Sequence, residues 1–366
     1  MDTAGKNTID RNRLILFFAV AYGLSFLMMI PMYIGKQKGL DLTQIVDAQM
    51  CSPAAGVALG YLLFLKDEKR VPRMFMWVLV INYAVQLILG LLSIFANPFM
   101  PDEMITLPGE VDFPIGTTYL LIGQSVLMIG SILLWIGYFI AKREGRKFAG
   151  ISRNNEKKGI LLVMLFAGLY LVRIFAPTVI ECVRTDTLQD LGPEFAEMVK
   201  SPVFLLGLVS LPFNYPLTVI AFFGEEYAWR GYLQPVMQSR FGMKAGVILL
   251  GVIWSLWHIP VDTMYYTDDS VPQMIAGQLI TCVFISIFWG YVYLKTNNIW
   301  IPVCMHFLNN NLVAVFSGQN GSDALTGQSI SWIQLVEILL VDIVVFGLFI
   351  FAKEYKEKKK EEAVNA

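Results

Sequence analysis

The chain has 366 residues, of which 56% are hydrophobic and only 16% are charged, and its formal net charge is −1. Soluble globular domains carry roughly one-quarter charged residues, so this composition excludes an ordinary soluble domain and indicates a polytopic membrane protein. The sequence also lacks a basic face interleaved with aromatic residues, which excludes nucleic acid as an expected partner.

Apolar segments long enough to cross a bilayer, about 20 residues each, occur about ten times along the chain. They cover approximately residues 14–34, 46–65, 74–96, 117–141, 159–180, 202–223, 245–260, 272–294, 299–317 and 332–351. Pro212 and Pro216 interrupt the sixth segment, where the helix could instead start near Pro216 and run to about Arg240. The sequence therefore predicts an all-α fold, a polytopic bundle of about ten transmembrane helices.

Lysine and arginine in the loops set the orientation of such a bundle. Basic clusters follow the second and fourth spans, in "KDEKRVPR" and "KREGRKFAG", and another forms the C-terminal tail "KEYKEKKK". By contrast, the loop at 97–117 and the segments "VDTMYYTDDS" and "SGQNGSDALTGQS" contain no basic residue. We therefore expect both termini in the cytoplasm, with these three segments on the outer face. The lipid bilayer is the expected surrounding, in a bacterial cytoplasmic membrane.

The sixth span runs into "GEEYAWRGYLQP", where two adjacent carboxylates and an arginine follow an apolar run. Glu226 and Arg230 are four residues apart and can pair on one helix face, whereas Glu225 is rotated by about 100°. Such a pair could be purely structural. However, an ionisable group in the hydrocarbon costs roughly 2.5 to 3.5 kcal/mol even on lenient scales, which makes these residues candidates for function.

The chain contains 2 histidines, His258 and His306, and both lie in or beside apolar segments. A single histidine on an apolar helix is most often a hydrogen-bonded core residue. Here, however, Asn310 follows His306 by four residues and shares its helix face. Two histidines with an amide in the same part of the chain are harder to assign to packing alone.

Helical spacing predicts that the carboxylates and His258 lie at a similar depth. If one helix ends near Arg240 and the next begins near Met243, Glu225 and His258 each lie about 22 Å from the turn between them. The following two helices return through the membrane and carry His306 on the second. We therefore expect the polar side chains to face one chamber inside a four-helix catalytic core.

These residues resemble the intramembrane CAAX prenyl endopeptidase and bacteriocin-processing protease family, also called the abortive-infection family. Its patterns E-E-x-x-x-R, aromatic-x-x-x-H and H-x-x-x-N occur in order within about residues 205–317. The matching residues are Glu225, Glu226, Arg230, Trp254, His258, His306 and Asn310. The sequence departs from the family at Trp254, where phenylalanine is common.

The resemblance implies a division of the chain and an activity. Residues 1–200 would form N-terminal transmembrane helices, 201–320 the catalytic core, and 321–366 the last helix and a basic cytoplasmic tail. The activity implied is that of an intramembrane endopeptidase, which hydrolyses a peptide bond in a membrane-associated or hydrophobic peptide. A lipidated peptide or a leader-type peptide is the expected substrate, but the sequence does not distinguish between them.

Peptide hydrolysis needs an activated water, a positioned carbonyl and stabilisation of the oxyanion. We assign Glu225 as the general base, with His258 helping to hold or deprotonate the water. Glu226 and Arg230 are expected to orient the site. His306 and Asn310 resemble the oxyanion-stabilising pair of the family.

Three alternatives stay open at the level of sequence. Two histidines and two carboxylates could bind Zn²⁺ with a water in an open position, and Glu225, His258 and His306 are the possible ligands. A secondary transporter would also use intramembrane carboxylates and histidines, but it predicts inverted repeats that are not apparent in the two halves. A non-catalytic immunity or scaffold protein would have no need of the complete polar set.

Overall fold

The computed structural model describes residues 3–96, 104–107, 111–114, 118–317 and 325–356. The described chain is almost entirely helical, and its one sheet is a two-stranded antiparallel hairpin of β1 (Met104–Leu107) and β2 (Val111–Pro114). The rest of the predicted outer loop at 97–117, part of the predicted outer segment at 317–329, and the basic tail from residue 357 lie outside the described residues. The predicted helical bundle is confirmed.

Helices make up most of the described chain. In chain order they are α1 (Thr3–Phe18), α2 (Ser25–Leu27), α3 (Met29–Gln37), α4 (Thr43–Phe64), α5 (Arg73–Phe95), α6 (Thr118–Ile140), α7 (Arg143–Phe148), α8 (Glu156–Thr185), α9 (Leu191–Lys200), α10 (Pro202–Glu226), α11 (Gln234–Phe241), α12 (Met243–Met264), α13 (Val271–Thr296), α14 (Trp300–Ser317) and α15 (Trp332–Val345). π-Helical turns at Ala19–Leu24 and Tyr227–Leu233 join α1 to α2 and α10 to α11. Short 3₁₀ turns lie at Leu188–Asp190, Gly347–Phe351 and Lys353–Tyr355.

Eight helical stretches of the described chain are long and apolar enough to cross a membrane. They are Thr8–Gln37, Arg73–Phe95, Tyr119–Ile140, Glu156–Thr185, Pro202–Phe241, Met243–Met264, Val271–Thr296 and Trp332–Phe351. The two remaining predicted spans, 46–65 and 299–317, also form helices, as α4 and α14. The protein is therefore an integral membrane protein, while the orientation of its termini stays a prediction.

The sixth span differs from its predicted boundaries. The helix begins at Pro202, passes through Pro212 and Pro216, and continues without a break to Phe241. The alternative start near Pro216 is therefore wrong, and so is the end at residue 223. Prolines are tolerated inside membrane helices when neighbouring groups hold the backbone. Here the Trp135 indole of α6 donates to the Pro216 carbonyl at 3.1 Å.

Two glycines allow the tight turn and the close helix contact that position the candidate site. Gly242 adopts a φ of 83° and closes the tight turn between α11 and α12, where the sequence predicts a turn. At Gly224 a Cβ atom would lie 2.4 Å from the Met50 carbonyl oxygen, so the backbones of α10 and α4 touch there. The carboxylates that follow Gly224 are thereby held against the N-terminal helices.

An ion pair outside the motifs joins α8 to α15. Arg173 Nε donates to Asp342 Oδ1 at 2.8 Å, and its Nη2 donates to Thr281 Oγ1 at 2.7 Å. Asp342 is buried, whereas the Arg173 side chain keeps 17% of its exposure. The two residues therefore form an interhelical pair at the edge of the buried interior.

Asp342→Ala is expected to lower the free energy of unfolding by about 1.5 to 3 kcal/mol, the range for losing a hydrogen bond to a charged group. Denaturant titration in detergent micelles would measure it. Asp268→Ala is the matched control, because Asp268 pairs with Lys36 at 2.7 Å but is 78% exposed. Such a surface pair contributes little, so the control should unfold like wild type. Equal losses in both variants would contradict a structural role for the α8–α15 pair.

Candidate active site

The two carboxylates and the arginine of the first motif lie where α10 changes to a wider helix. α10 ends at Glu226, and the next 7 residues, Tyr227–Leu233, form a π-helical turn. Such turns are frequent at functional sites. Arg230 Nη1 donates to Glu226 Oε1 at 3.1 Å, and Nη2 donates to Ser286 Oγ of α13 at 3.3 Å. The predicted ion pair is present, and both of its side chains are fully buried.

His306 of α14 lies between the two carboxylates. Its Nδ1 is 2.9 Å from Glu226 Oε1, and its Nε2 is 4.0 Å from Glu225 Oε1. Glu226 Oε1 also accepts from Arg230, so it is the acceptor to which His306 Nδ1–H donates. The third motif thus meets the first through the Glu226 carboxylate, and His306 Nε2 is left facing Glu225.

Trp254 of α12 connects all three motifs. Its indole Nε1 donates to Glu225 Oε2 at 2.8 Å. Its ring centroid lies 5.7 Å from the His258 ring and 5.8 Å from the His306 ring, and the Arg230 guanidinium carbon is 4.1 Å from it. From the sequence Trp254 was noted only as a departure from the family pattern, and its N–H donor was missed. The signal was the tryptophan itself, since phenylalanine cannot donate.

His258 has a defined tautomer in its neutral form. Its Nδ1 lies 2.9 Å from the Trp254 carbonyl oxygen, which can only accept, so Nδ1–H donates. The neutral ring therefore carries its lone pair on Nε2. His258 reaches the carboxylate cluster through Trp254, which packs against its ring and holds Glu225.

Comparison with known proteins agrees with the motifs. Residues 201–312 match the family model described as type II CAAX prenyl endopeptidase Rce1-like. This segment is similar to the Rce1-like family. It contains every motif residue discussed above. CAAX prenyl protease 2 of Methanococcus maripaludis is 33% identical to the chain over 89 residues, which are 24% of this chain and 31% of that protein. The chain thus spans about a third of the length of the curated relative it matches, and no solved structure matches it significantly.

Two further polar residues of this segment are the motif residue Asn310 and Asp262, which belongs to no motif. Asn310 is half-buried one turn after His306, and within the described ranges its side chain accepts from Asn309 at 2.9 Å rather than from a motif residue. Asp262 lies one turn beyond His258 on α12 and is fully buried. Neither of its carboxylate oxygens has a hydrogen-bond partner among the described residues. Sequence reasoning missed Asp262, although its spacing of four from His258 in "HIPVD" was visible.

The residues of the Rce1-like segment do not fit a three-ligand metal site as they stand. Across the described ranges, no group of three or more His, Cys, Asp or Glu side chains is arranged to hold a metal ion. Nδ1 of both His258 and His306 is bonded to a protein acceptor, which leaves Nε2 as the ring nitrogen that could bind a metal. Zinc on Glu225, His258 and His306 stays a hypothesis.

The site is shielded from solvent. Glu225 is 2% exposed, His306 4% and His258 8%, while Glu226 and Arg230 have no exposed surface. Charged groups interact more strongly in such an environment than in water, and an unpaired charge is costly there. The Glu226–Arg230–His306 arrangement can therefore hold an imidazole firmly in place beside a second carboxylate.

Proposed function

We propose that the protein is an intramembrane endopeptidase that hydrolyses a peptide bond in a hydrophobic or membrane-associated peptide. The observation that carries this proposal is the buried cluster in which His306 lies between Glu225 and Glu226, with Trp254 bonded to Glu225. The match of residues 201–312 to the Rce1-like family model supports the same class of reaction.

In the proposed mechanism Glu225 activates the water. Its Oε2 is occupied by the Trp254 indole, so Oε1 is the oxygen that takes the proton. The Nε2 lone pair of His258 accepts the other hydrogen of the water and orients it. The water oxygen attacks the carbonyl carbon, and Glu225 then passes its proton to the departing amine nitrogen as the C–N bond breaks. The products are a carboxylic acid and an amine, and a proton transfer between them gives a carboxylate and an ammonium group.

The remaining polar residues support the oxyanion that forms in this step. Its stabilisation requires preorganised donors in a water-excluded site. His306 donates from Nε2–H as an imidazolium, with Nδ1–H held by Glu226, and Asn310 supplies its Nδ2 amide donor, because the bond from Asn309 uses only Asn310 Oδ1. Arg230 holds Glu226 in place, and Glu226 in turn holds His306, so Arg230 affects the oxyanion only indirectly. This gives every residue of the three motifs a distinct role.

The proposed substrate is a hydrophobic, lipidated or leader-type peptide. The site lies among helices that are themselves apolar enough to span a membrane, so a substrate that partitions into lipid would reach it most readily. The name of the Methanococcus maripaludis relative makes a prenylated C-terminal peptide one probe to include.

The test is incubation of the purified protein in lipid vesicles with a library of hydrophobic peptides, some of them prenylated, followed by mass spectrometry. Glu225→Ala protein serves as the inactive control. Peptide fragments that form with wild type and not with the control support the proposal. Equal cleavage by both proteins, or no cleavage of any member of the library, would count against it.

Trp254→Phe tests the hydrogen bond to Glu225, because it removes the N–H donor and keeps an aromatic ring. We expect kcat/KM to fall by about 10- to 100-fold, as for the loss of a hydrogen bond to a charged group. Trp254 holds the base and not the substrate, so the loss should lie in kcat with little change in KM.

Trp300→Phe is the matched control for that variant. The Trp300 indole donates to the Ile151 carbonyl at 2.9 Å, so the control also loses one buried hydrogen bond, but none to a carboxylate. Its turnover per folded molecule should stay near that of wild type. Similar losses in both variants would show that aromatic packing, and not the bond to Glu225, matters for turnover.

A further inference from the structure

A cavity of about 360 Å³ lies where α5 begins and α6 ends. It is lined by the stretch 69–75 at the start of α5 and by residues of the stretch 137–145 around the end of α6. None of the three catalytic motifs contributes to its wall. The cavity is therefore separate from the candidate active site.

The wall of this cavity is strongly basic. Four of its lining side chains are cationic, Lys69, Arg70, Arg73 and Lys142, whereas one, Glu144, is acidic. Lys69, Arg73 and Lys142 are exposed, and none of the three forms an ion pair with another described residue. Their positive charge is thus available to an anion from outside the protein.

The basic wall is held in place by contacts within the chain. Arg70 forms a two-pronged bond to Glu68 at 2.9 and 2.8 Å, and its guanidinium lies 4.4 Å from the centroid of the Phe148 ring. A Cβ atom at Gly145 would lie 2.9 Å from the Arg70 carbonyl oxygen, so α7 packs directly on this segment. Arg73 also donates to the Lys66 carbonyl. The cavity is therefore a shaped site and not only a set of free surface side chains.

An exposed apolar surface of α5 and α6 lies next to the cavity. On α5, Met74 and Trp77 are exposed, and on α6, Phe139 and Ile140 are each about two-thirds exposed. An occupant of the cavity would thus meet positive charge at one end and lipid-facing helix surface at the other. This is the pattern that an anionic amphiphile requires, and basic pockets between transmembrane helices bind anionic lipid head groups.

We propose that this cavity binds the head group of an anionic phospholipid. The phosphate lies against Lys69, Arg73 and Lys142, and the acyl chains run along the exposed surface of α5 and α6. Glu144 opposes the binding, because its carboxylate adds negative charge to the same wall. The site does not depend on peptide hydrolysis.

Native mass spectrometry of the full-length protein, titrated with phosphatidylglycerol or phosphatidylcholine, tests this site. Phosphatidylglycerol should bind more tightly than phosphatidylcholine. We expect about fivefold weaker binding of phosphatidylglycerol for each charge removed in Lys69→Ala, Arg73→Ala and Lys142→Ala, singly and combined. Glu144→Gln should change the affinity in the opposite direction. Lys157→Ala with Lys158→Ala removes two exposed charges that do not line the cavity, and it should bind like wild type.

Equal affinity for the two lipids, or equal losses in the Lys157/Lys158 control, would overturn the proposal. Inorganic phosphate and glycerol 3-phosphate are the soluble competitors. If either displaces phosphatidylglycerol at matched concentration, the site recognises phosphate alone and the lipid assignment fails. If the combined variant does not fold, the single variant Lys142→Ala and the opposite effect of Glu144→Gln still decide the outcome. Because no step measures cleavage, the result is independent of the proposed protease activity.

Discussion

Glu225→Gln is expected to reduce peptide hydrolysis by about 10² to 10⁴, the usual contribution of a general base, while the protein stays folded and inserted. Glutamine keeps the shape of the side chain and an oxygen that can accept from the Trp254 indole, which is 2.8 Å from the present carboxylate. It cannot take a proton from water. Turnover of a cleaved peptide, measured by mass spectrometry and scaled to the folded protein, reports the effect.

Glu337→Gln is the matched control for this substitution. Glu337 is also a buried carboxylate within a span, on α15, but it belongs to none of the three motifs. The control should keep the turnover of wild type. A correctly inserted Glu225→Gln protein with full activity would remove Glu225 from the role of base.

Arg230→Ala is expected to destabilise the protein by about 3 to 5 kcal/mol and to abolish turnover. The change breaks the buried ion pair and leaves the Glu226 carboxylate with His306 as its remaining partner, and removing one member of a buried pair has a cost of this size. It also removes the guanidinium from beside the rings of Trp254 and Trp289, whose centroids lie 4.1 and 5.0 Å from it. Denaturant titration in micelles measures the stability, and the peptide assay measures the turnover.

Two companion variants separate the causes. Glu226→Leu combined with Arg230→Met replaces the pair with apolar residues of similar size, and it should recover stability without recovering turnover. Arg184→Ala breaks the exposed pair with Glu181 and should change stability little. If Arg230→Ala has the stability and the peptide turnover of wild type, the Glu226–Arg230 pair contributes to neither property.

Composition and local periodicity determined the class of fold and most helices. An apolar run of about 20 residues can satisfy its backbone in a bilayer only as a helix or a closed barrel, so the spans follow from local sequence. The turn at Gly242 was also predictable, because it depends on a few adjacent residues. Pro212 and Pro216 misled the prediction, because neighbouring helices decide whether a proline ends a membrane helix. The division at 1–200, 201–320 and 321–366 and the cytoplasmic location of the termini stay predictions.

The contacts of the candidate site were likewise predictable from the sequence only in part. The pairing of Glu226 with Arg230 follows from a spacing of four on one helix, which the sequence contains. Only the tertiary structure decided that His306, 80 positions away, bonds to Glu226, and that Trp254 of another helix donates to Glu225. These contacts depend on how α10, α12 and α14 rotate and pack against one another. The physical reason is that helix periodicity specifies which residues share one face of a helix. Which side chains of other helices that face contacts depends on the packing of the whole bundle.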